Sequence, residues 1–206
     1  MPDQKLTVGA YLFDRFELMT ACGPLDFFGK LSEHISLNII THSGEPASSE
    51  QGPQIKADFS LSNSPSFDII LLPGGSGIKS EVENTDLLTW LQQKTKAAKY
   101  VVSVSSGSAL LARTGLLDGV RATADKNTIQ WVVTQGPKVN WVKQARWTED
   151  QKFFTASGIS TGLDMTLTLI KRIFDERTAQ NIAFDSGYEW RGGSSWDSFA
   201  MTQGLM

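Results

Sequence analysis

The chain has 206 residues and a mass of 22.6 kDa, enough for one well-buried domain and cramped for two, since a chain this long hides roughly 70% of the surface it exposes when unfolded. With 40% hydrophobic and 20% charged residues it is too apolar for disorder and too mixed for a fibre. A net charge of -3 and a pI near 5.4 supply no basic field to gather phosphates, so neither nucleic acid nor a membrane surface is an expected partner.

Met1–Lys5 leads into an apolar run that meets Asp14 and Arg15 before any small-residue cleavage site, which predicts no secretory signal and a cytoplasmic location. Short apolar runs recur at Leu6–Phe13, Ile35–Thr41, Phe67–Leu72, Tyr100–Val104 and Phe153–Ala156, and the first four read as strands. Between them lies helical spacing, as at Leu25, Phe28 and Leu31, or Leu87, Leu88 and Leu91 followed by Ala97 and Ala98. Gly44–Pro65, rich in Ser, Pro, Gly and Gln, reads as a connection with a small hairpin or edge strand around Gln54–Phe59. Thr161–Ile173 reads as a largely buried C-terminal helix with Lys171 and Arg172 in its last turn, where cations favour the helix dipole. Strands alternating with helices imply parallel pairing through crossovers, hence an α/β fold of three layers, one domain over residues 1–206. The longest charge-free stretch, Tyr100–Ala112, is broken by four serines and a glycine and falls short of the roughly 20 apolar residues that a bilayer span needs.

One cysteine, Cys22, excludes an internal disulfide, and with only His34 and His42 beside it the supply of soft ligands is thin. No metal and no organic cofactor are expected.

The segment Lys99–Ala112 carries the strongest chemical signal. An apolar strand runs into Ser105-Ser106-Gly107-Ser108 and then a helix, with Ser105 at the corner and Gly107 where only a small residue lets helix and strand pack closely. This is the pattern of a nucleophile elbow, with Ser103 in place of the first glycine of G-x-S-x-G; a plain buried strand-to-helix turn is the competing reading. A second strand ends in Leu72-Pro73-Gly74-Gly75-Ser76-Gly77, whose backbone amides can approach a ligand without Cβ obstruction. Two such turns at the carboxyl ends of parallel strands make a crevice for small polar molecules and oxyanions. A nucleotide site fails on pattern, since Gly77-Ile78-Lys79-Ser80 lacks the P-loop core and no G-x-G-x-x-G is present here.

The elbow followed by Leu116-Leu117-Asp118-Gly119-Val120-Arg121-Ala122-Thr123, the loop Leu71–Gly75 and Ser157-Gly158-Ile159-Ser160-Thr161-Gly162-Leu163-Asp164-Met165 resemble the DJ-1/PfpI superfamily. Gly23-Pro24-Leu25-Asp26-Phe27-Phe28 and the tail Tyr188-Glu189-Trp190 with Trp196–Ala200 are similar to its isonitrile hydratase-like branch. The resemblance covers nearly the whole chain. It implies a flavodoxin-like sandwich with a mainly parallel sheet, usually a homodimer, acting on a small molecule through a reactive cysteine at the elbow. In isonitrile hydratases that cysteine attacks the isonitrile carbon, helped by an acid before the Gly-Pro and a hydroxyl after the nucleophile, giving an N-substituted formamide.

Carried over, the nucleophile position is Ser105, the hydroxyl is Ser106 and the acid position is Thr20, with Gly74, Gly75 and Asp125 as substrate- or oxyanion-binding positions. A serine thus stands where the thiol should be, as a natural or an engineered replacement, and Thr20 cannot transfer a proton as a carboxylate does. Asp125 falls at the place of the histidine that follows the Arg-Ala-Thr motif in many relatives. A serine needs a strong neighbouring base, and His34 and His42 fall in or beside an early strand, so neither is an expected partner. Glu17 reads first as a solvated loop charge, with a stand-in carboxylate as the alternative. Cys22 reads as an inert packing thiol, with a displaced nucleophile as the alternative. Trp131, Trp141, Trp147, Trp190 and Trp196 receive no catalytic task.

Two functions follow as expectations: an isonitrile hydratase-like enzyme with an altered nucleophile, and a non-catalytic small-molecule-binding or stress-sensor protein that keeps the pocket without the thiol. A glyoxalase or stress-protection role is weakened by the missing cysteine, acid and histidine. Length and charge argue against the family's DNA-binding, transcription-factor form.

Overall fold

Each central strand alternates its side chains between two apolar faces. Ile69 and Leu71 point to one side and Ile70 and Leu72 to the other, and all four are fully buried, as a sheet covered by helices on both sides requires. The computed structural model describes residues 5–204, so the reading of Met1–Gln4 lies outside the described residues. Seven strands pair in the order Trp147–Asp150, Phe153–Ala156, Tyr100–Val104, Ile69–Leu72, Leu6–Tyr11, Ile35–Thr41 and Phe59–Ser60. Every pairing is parallel except that of Trp147–Asp150 with Phe153–Ala156. The fold is therefore α/β with a mainly parallel central sheet.

On one face Leu18–Gly29, Ile159–Ile173 and Glu176–Asp185 cover Val8, Ala10, Ile69, Leu71, Val102 and Val104. On the other, Thr85–Ala97, Ser108–Arg113 and Ile129–Gln135 cover Tyr11, Ile70, Leu72 and Val101. The four expected strands are present, those expected at Leu6–Phe13 and Phe67–Leu72 as the shorter Leu6–Tyr11 and Ile69–Leu72. The connection after Thr41 forms both expected alternatives: Gln54–Ile55 pairs in a small hairpin with Ala47–Ser48, and Phe59–Ser60 is the edge strand.

One expectation is corrected. The helix expected at Thr161–Ile173 starts at Ile159 and is not the last one, because Asp175 accepts a hydrogen bond from Thr178 N and starts a further helix at Glu176–Asp185. A short turn of helix follows at Phe199–Thr202. Among the described residues no helix is long and apolar enough to cross a membrane.

Candidate active site

The parallel strands end together, and two of the loops that leave them meet where Gly74 stands against Ser105. Tyr100–Val104 runs directly into a tight turn at Ser105–Gly107 and the helix Ser108–Arg113. Ser105 sits at φ 60, a left-handed conformation that a side-chain-bearing residue adopts at a cost of about 1–3 kcal/mol. Gly107 makes the corner possible: a Cβ there would stand 2.4 Å from the carbonyl oxygen of Leu72 and 2.7 Å from that of Pro73. Ser105 is half-buried and Ser106 is buried.

The glycine loop closes against this corner. Gly74 faces Ser105 so closely that a Cβ on it would lie 2.7 Å from the serine Cβ. Gly75, at φ 137, is pressed against the Arg15–Glu17 backbone, which a Cβ would meet at 2.4 Å. Phe16 bridges to Gly75 on one side and to Ser49 on the other. The loops after the first and fourth sheet strands in the chain thus share one backbone contact with the small hairpin.

The structure brings Thr20, Gly74, Gly75, Ser105 and Ser106 together. Of the two glycine amides, Gly74 N donates to Thr20 Oγ1 at 3.1 Å and Gly75 N donates to Ser106 Oγ at 3.3 Å. Thr20 Oγ1 in turn donates to the Glu17 carbonyl at 2.7 Å. Thr20 and Ser106 therefore act as acceptors that satisfy the glycine loop. Among the described residues no side chain hydrogen-bonds the Ser105 hydroxyl, whose residue contributes only its carbonyl to a 3.5 Å contact from Ser108 Oγ.

Asp125 is not brought to the elbow by any contact. Its carboxylate accepts from Thr128 N and Oγ1, each at 3.1 Å, and from Asn127 at 3.4 Å, the pattern of a turn cap. The Glu17 carboxylate accepts from Gln51 Nε2 at 3.0 Å, while its N–H donates to the Gly74 carbonyl at 2.8 Å. Cys22 is half-buried, and burial pushes its thiol up from the ordinary range. His34 stacks near Phe174 and His42 faces Asn84. Neither histidine reaches the elbow through these contacts.

Sequence reasoning missed the supporting residues. Gln51 Oε1 accepts from Leu18 N at 3.0 Å, filling the orphan donor at the start of the Leu18–Gly29 helix. Glu50 accepts from Ser76 N, and hydrogen bonding to Ser76, its side chain first and its backbone second, holds the Glu50 carboxyl below the usual range. Both contacts cross more than 25 residues of chain, so no local pattern announces them. Among the described residues no cluster of three or more His, Cys, Asp or Glu side chains is arranged to hold a metal ion.

The DJ-1/PfpI family model matches residues 7–172. The chain belongs to the DJ-1/PfpI family. Isonitrile hydratase of Pseudomonas putida is 31% identical over 183 residues, covering 89% of this chain and 78% of that protein. The HTH-type transcriptional regulator GbdR of Pseudomonas aeruginosa is 30% identical over 171 residues, 81% of this chain but only 46% of the regulator. Among solved structures, a ThiJ/PfpI family protein from Pseudomonas syringae superposes with a TM-score of 0.83 at 25% identity, covering 92% of this chain and 82% of that one. The DJ-1beta of Drosophila melanogaster, at 19% identity, shares the fold with a TM-score of 0.80, over 91% of this chain and all of that one. The Ser105 corner and the Gly74–Gly75 loop both fall within the residues that the family model matches.

Proposed function

We propose that this DJ-1/PfpI protein binds a small polar molecule in the crevice between Ser105 and Gly74, on a scaffold of the isonitrile hydratase kind, with little or no turnover. The observation that carries the reading is the isolated hydroxyl of Ser105. A serine becomes a nucleophile when a base within about 2.6–3.2 Å takes its proton, and here the nearest family positions hold Thr20 and Ser106, both engaged with glycine amides. The strained corner, which presents one small side chain to the crevice, is retained without the groups that would use it for turnover. The scaffold also forms part of a protein named as a transcriptional regulator, so the fold is not tied to catalysis.

A second reading, slow hydration of an isonitrile to a formamide, is favoured by 31% identity to isonitrile hydratase over most of both chains. In it the Ser105 oxygen attacks the isonitrile carbon, its proton goes to that carbon, and water then releases the formamide and restores the hydroxyl. One experiment separates the two. Cyclohexyl isonitrile is titrated calorimetrically into the protein and into Ser105→Cys, and formamide is followed by chromatography. Binding without product in the parent supports the first reading, and product from the parent supports the second. Absence of binding to both proteins, with the thiol introduced by Ser105→Cys no more reactive than Cys22, overturns the site.

We also propose a homodimer. Met19 and Ile159, at the N-terminal ends of two packed helices, are 46% and 40% exposed beside the elbow, an apolar area suited to an isologous contact. A monomeric mass by light scattering at micromolar concentration would count against it.

A further inference from the structure

Four polar side chains with less than a tenth of their surface exposed gather at the sheet edge that carries the elbow: Lys126, Ser157, Thr161 and Asp197. Ser157 follows Ala156, whose partner in register is Val104, so Ser157 and Ser105 leave adjacent parallel strands side by side. The Ser157 hydroxyl donates to Asp197 Oδ2 and lies 3.2 Å from Thr161 Oγ1. Thr161 Oγ1 accepts from Gly158 N at 2.7 Å. One turn on, Gly162 packs against Val104, whose Cγ1 a Cβ on that glycine would meet at 2.7 Å. The first turn of the Ile159–Ile173 helix is therefore fixed twice, by packing of Gly162 on Val104, the residue before the elbow, and by hydrogen bonds of Ser157 and Thr161 at the end of the neighbouring strand.

Asp197 reaches this place from a C-terminal strap, residues 187–198, whose Ser194 carbonyl accepts from Arg146 N at 2.7 Å beside the edge strand Trp147–Asp150. The strap is pinned by Arg146 and Asp164, which pair with each other. Arg146 donates to the carbonyls of Arg191 at 3.1 Å and Gly193 at 2.7 Å, while Tyr188 Oη and Arg191 N donate to Asp164 Oδ1 at 3.1 and 2.9 Å. Asp197 N then donates to the Gln144 carbonyl at 2.7 Å, and Phe199 N to Asp197 Oδ1 at 3.0 Å. Lys126 donates to Thr123 Oγ1 and to the carbonyls of Ala124 and Ala145. Asp197 is the carboxylate that most favours its charge. A buried carboxylate is costly unless hydrogen bonds compensate it. Here the side-chain bonds tie the strap to Ser157.

We propose that Asp197 is a positioning residue of the Ser105 crevice: through Ser157 it locks the first turn of the Ile159–Ile173 helix beside the elbow, so the strap is part of the site. The proposal rests on the reading of that crevice as the ligand site. It does not require turnover.

The test uses the full chain with Ser105→Cys as the parent. Iodoacetamide labelling of the thiol at position 105 and of Cys22 is followed at fixed pH by peptide mass, because a helix start held against a thiol favours the thiolate. Asp197→Ala is expected to slow labelling at position 105 roughly tenfold, the scale on which small misplacements act, and to leave Cys22 unchanged. Asp197→Asn is expected to restore the parent rate, since its oxygen can accept from Phe199 N while its amide donates to Ser157 Oγ. Equal rates in the parent and Asp197→Ala, or an Asn variant as slow as Ala, would overturn the proposal. Hydrogen exchange of the protein with Ser105 intact supplies an independent readout. Asp197→Ala should speed exchange at the 159–162 amides and not in Leu18–Gly29. Unchanged protection at 159–162 overturns the proposal, whereas a parent whose position-105 thiol labels no faster than Cys22 overturns only the ligand-site reading.

Discussion

The Cβ of Ser105 lies 2.7 Å from where a Cβ on Gly74 would stand, and the serine hydroxyl lies 2.8 Å from the same point. Contacts this short do not exist between real side chains, so the elbow keeps its shape only while position 74 is glycine. Gly74→Ala should force the corner or the loop to shift, at a cost of about 1–3 kcal/mol, and should abolish binding of any ligand that touches Ser105. Urea denaturation and calorimetric titration of the variant check both. A variant as stable as the parent, with unchanged ligand affinity, would show that the glycine loop has room to spare.

Ser103, two residues before the elbow, has a fully buried hydroxyl with no hydrogen-bond partner among the described residues. A buried unsatisfied group costs about 1–3 kcal/mol, whereas alanine fits the same strand without that penalty. Ser103→Ala should therefore stabilise the protein by about 1 kcal/mol, raising the melting temperature by about 2–4 °C for a chain of this size. A lowered melting temperature would mean that the hydroxyl is satisfied after all.

The same residues show what could be read from the sequence. Apolar runs such as Ile69–Leu72 and Tyr100–Val104 announce strands because a covered parallel strand is buried on both faces, and the small residues after Val104 announce a tight corner because backbone must pass close to backbone there. The Phe153–Ala156 run is a strand through two pairings, a local hairpin with Trp147–Asp150 and a parallel ladder with Val101–Val104, and the second is a relation between distant segments. The fate of the glycine amides was hidden for the same reason: Thr20 and Gly74 are 54 residues apart, and which acceptor takes an amide is decided by packing. Asp125 shows the limit of position-by-position transfer, since the motif locates it but its carboxylate caps Thr128. The strap was visible as a motif and not as a structure, because its order comes from Arg146 and Asp164 rather than from its own residues.

Asp164 is 1% exposed at its side chain and Arg146 15%, and together they hold the backbone of Arg191 and Gly193. Removing one partner of a buried pair leaves the other uncompensated, at a cost of about 3–5 kcal/mol. Asp164→Ala should lose stability on that scale and release the strap, so that trypsin cuts after Arg191 faster than elsewhere. Asp164→Asn should be milder, because its oxygen still accepts from Tyr188 and Arg191. Resistance of the Ala variant at Arg191, equal to that of the parent, would show that the strap is held by other contacts.

Lys126 gives the protein a pH dependence with a definite sign. Its side chain is buried, and loss of solvation pushes the ammonium down to about 8 from 10.5, against the partial compensation of Asp197 and Asp125. The folded state therefore binds fewer protons than the unfolded state between those two values, and stability rises with pH across that window. Below about pH 8 the burden of the buried cation is fully present; a shift of this size corresponds to a cost on the order of 3 kcal/mol. Burial holds the Tyr11 and Tyr188 hydroxyls and the Cys22 thiol above their ordinary ranges, so these groups lower stability as pH climbs past about 9. That opposing trend is common to the parent and to Lys126→Met and cancels in their difference. The variant carries a separate, pH-independent cost, because Thr123 Oγ1 and the carbonyls of Ala124 and Ala145 lose their donor. Urea denaturation of both proteins at pH 7 and pH 9.5 should show the parent gaining on the variant at the higher pH. A stability difference that stays constant between the two pH values would mean that Lys126 keeps its proton throughout and that its burial costs less than the structure implies.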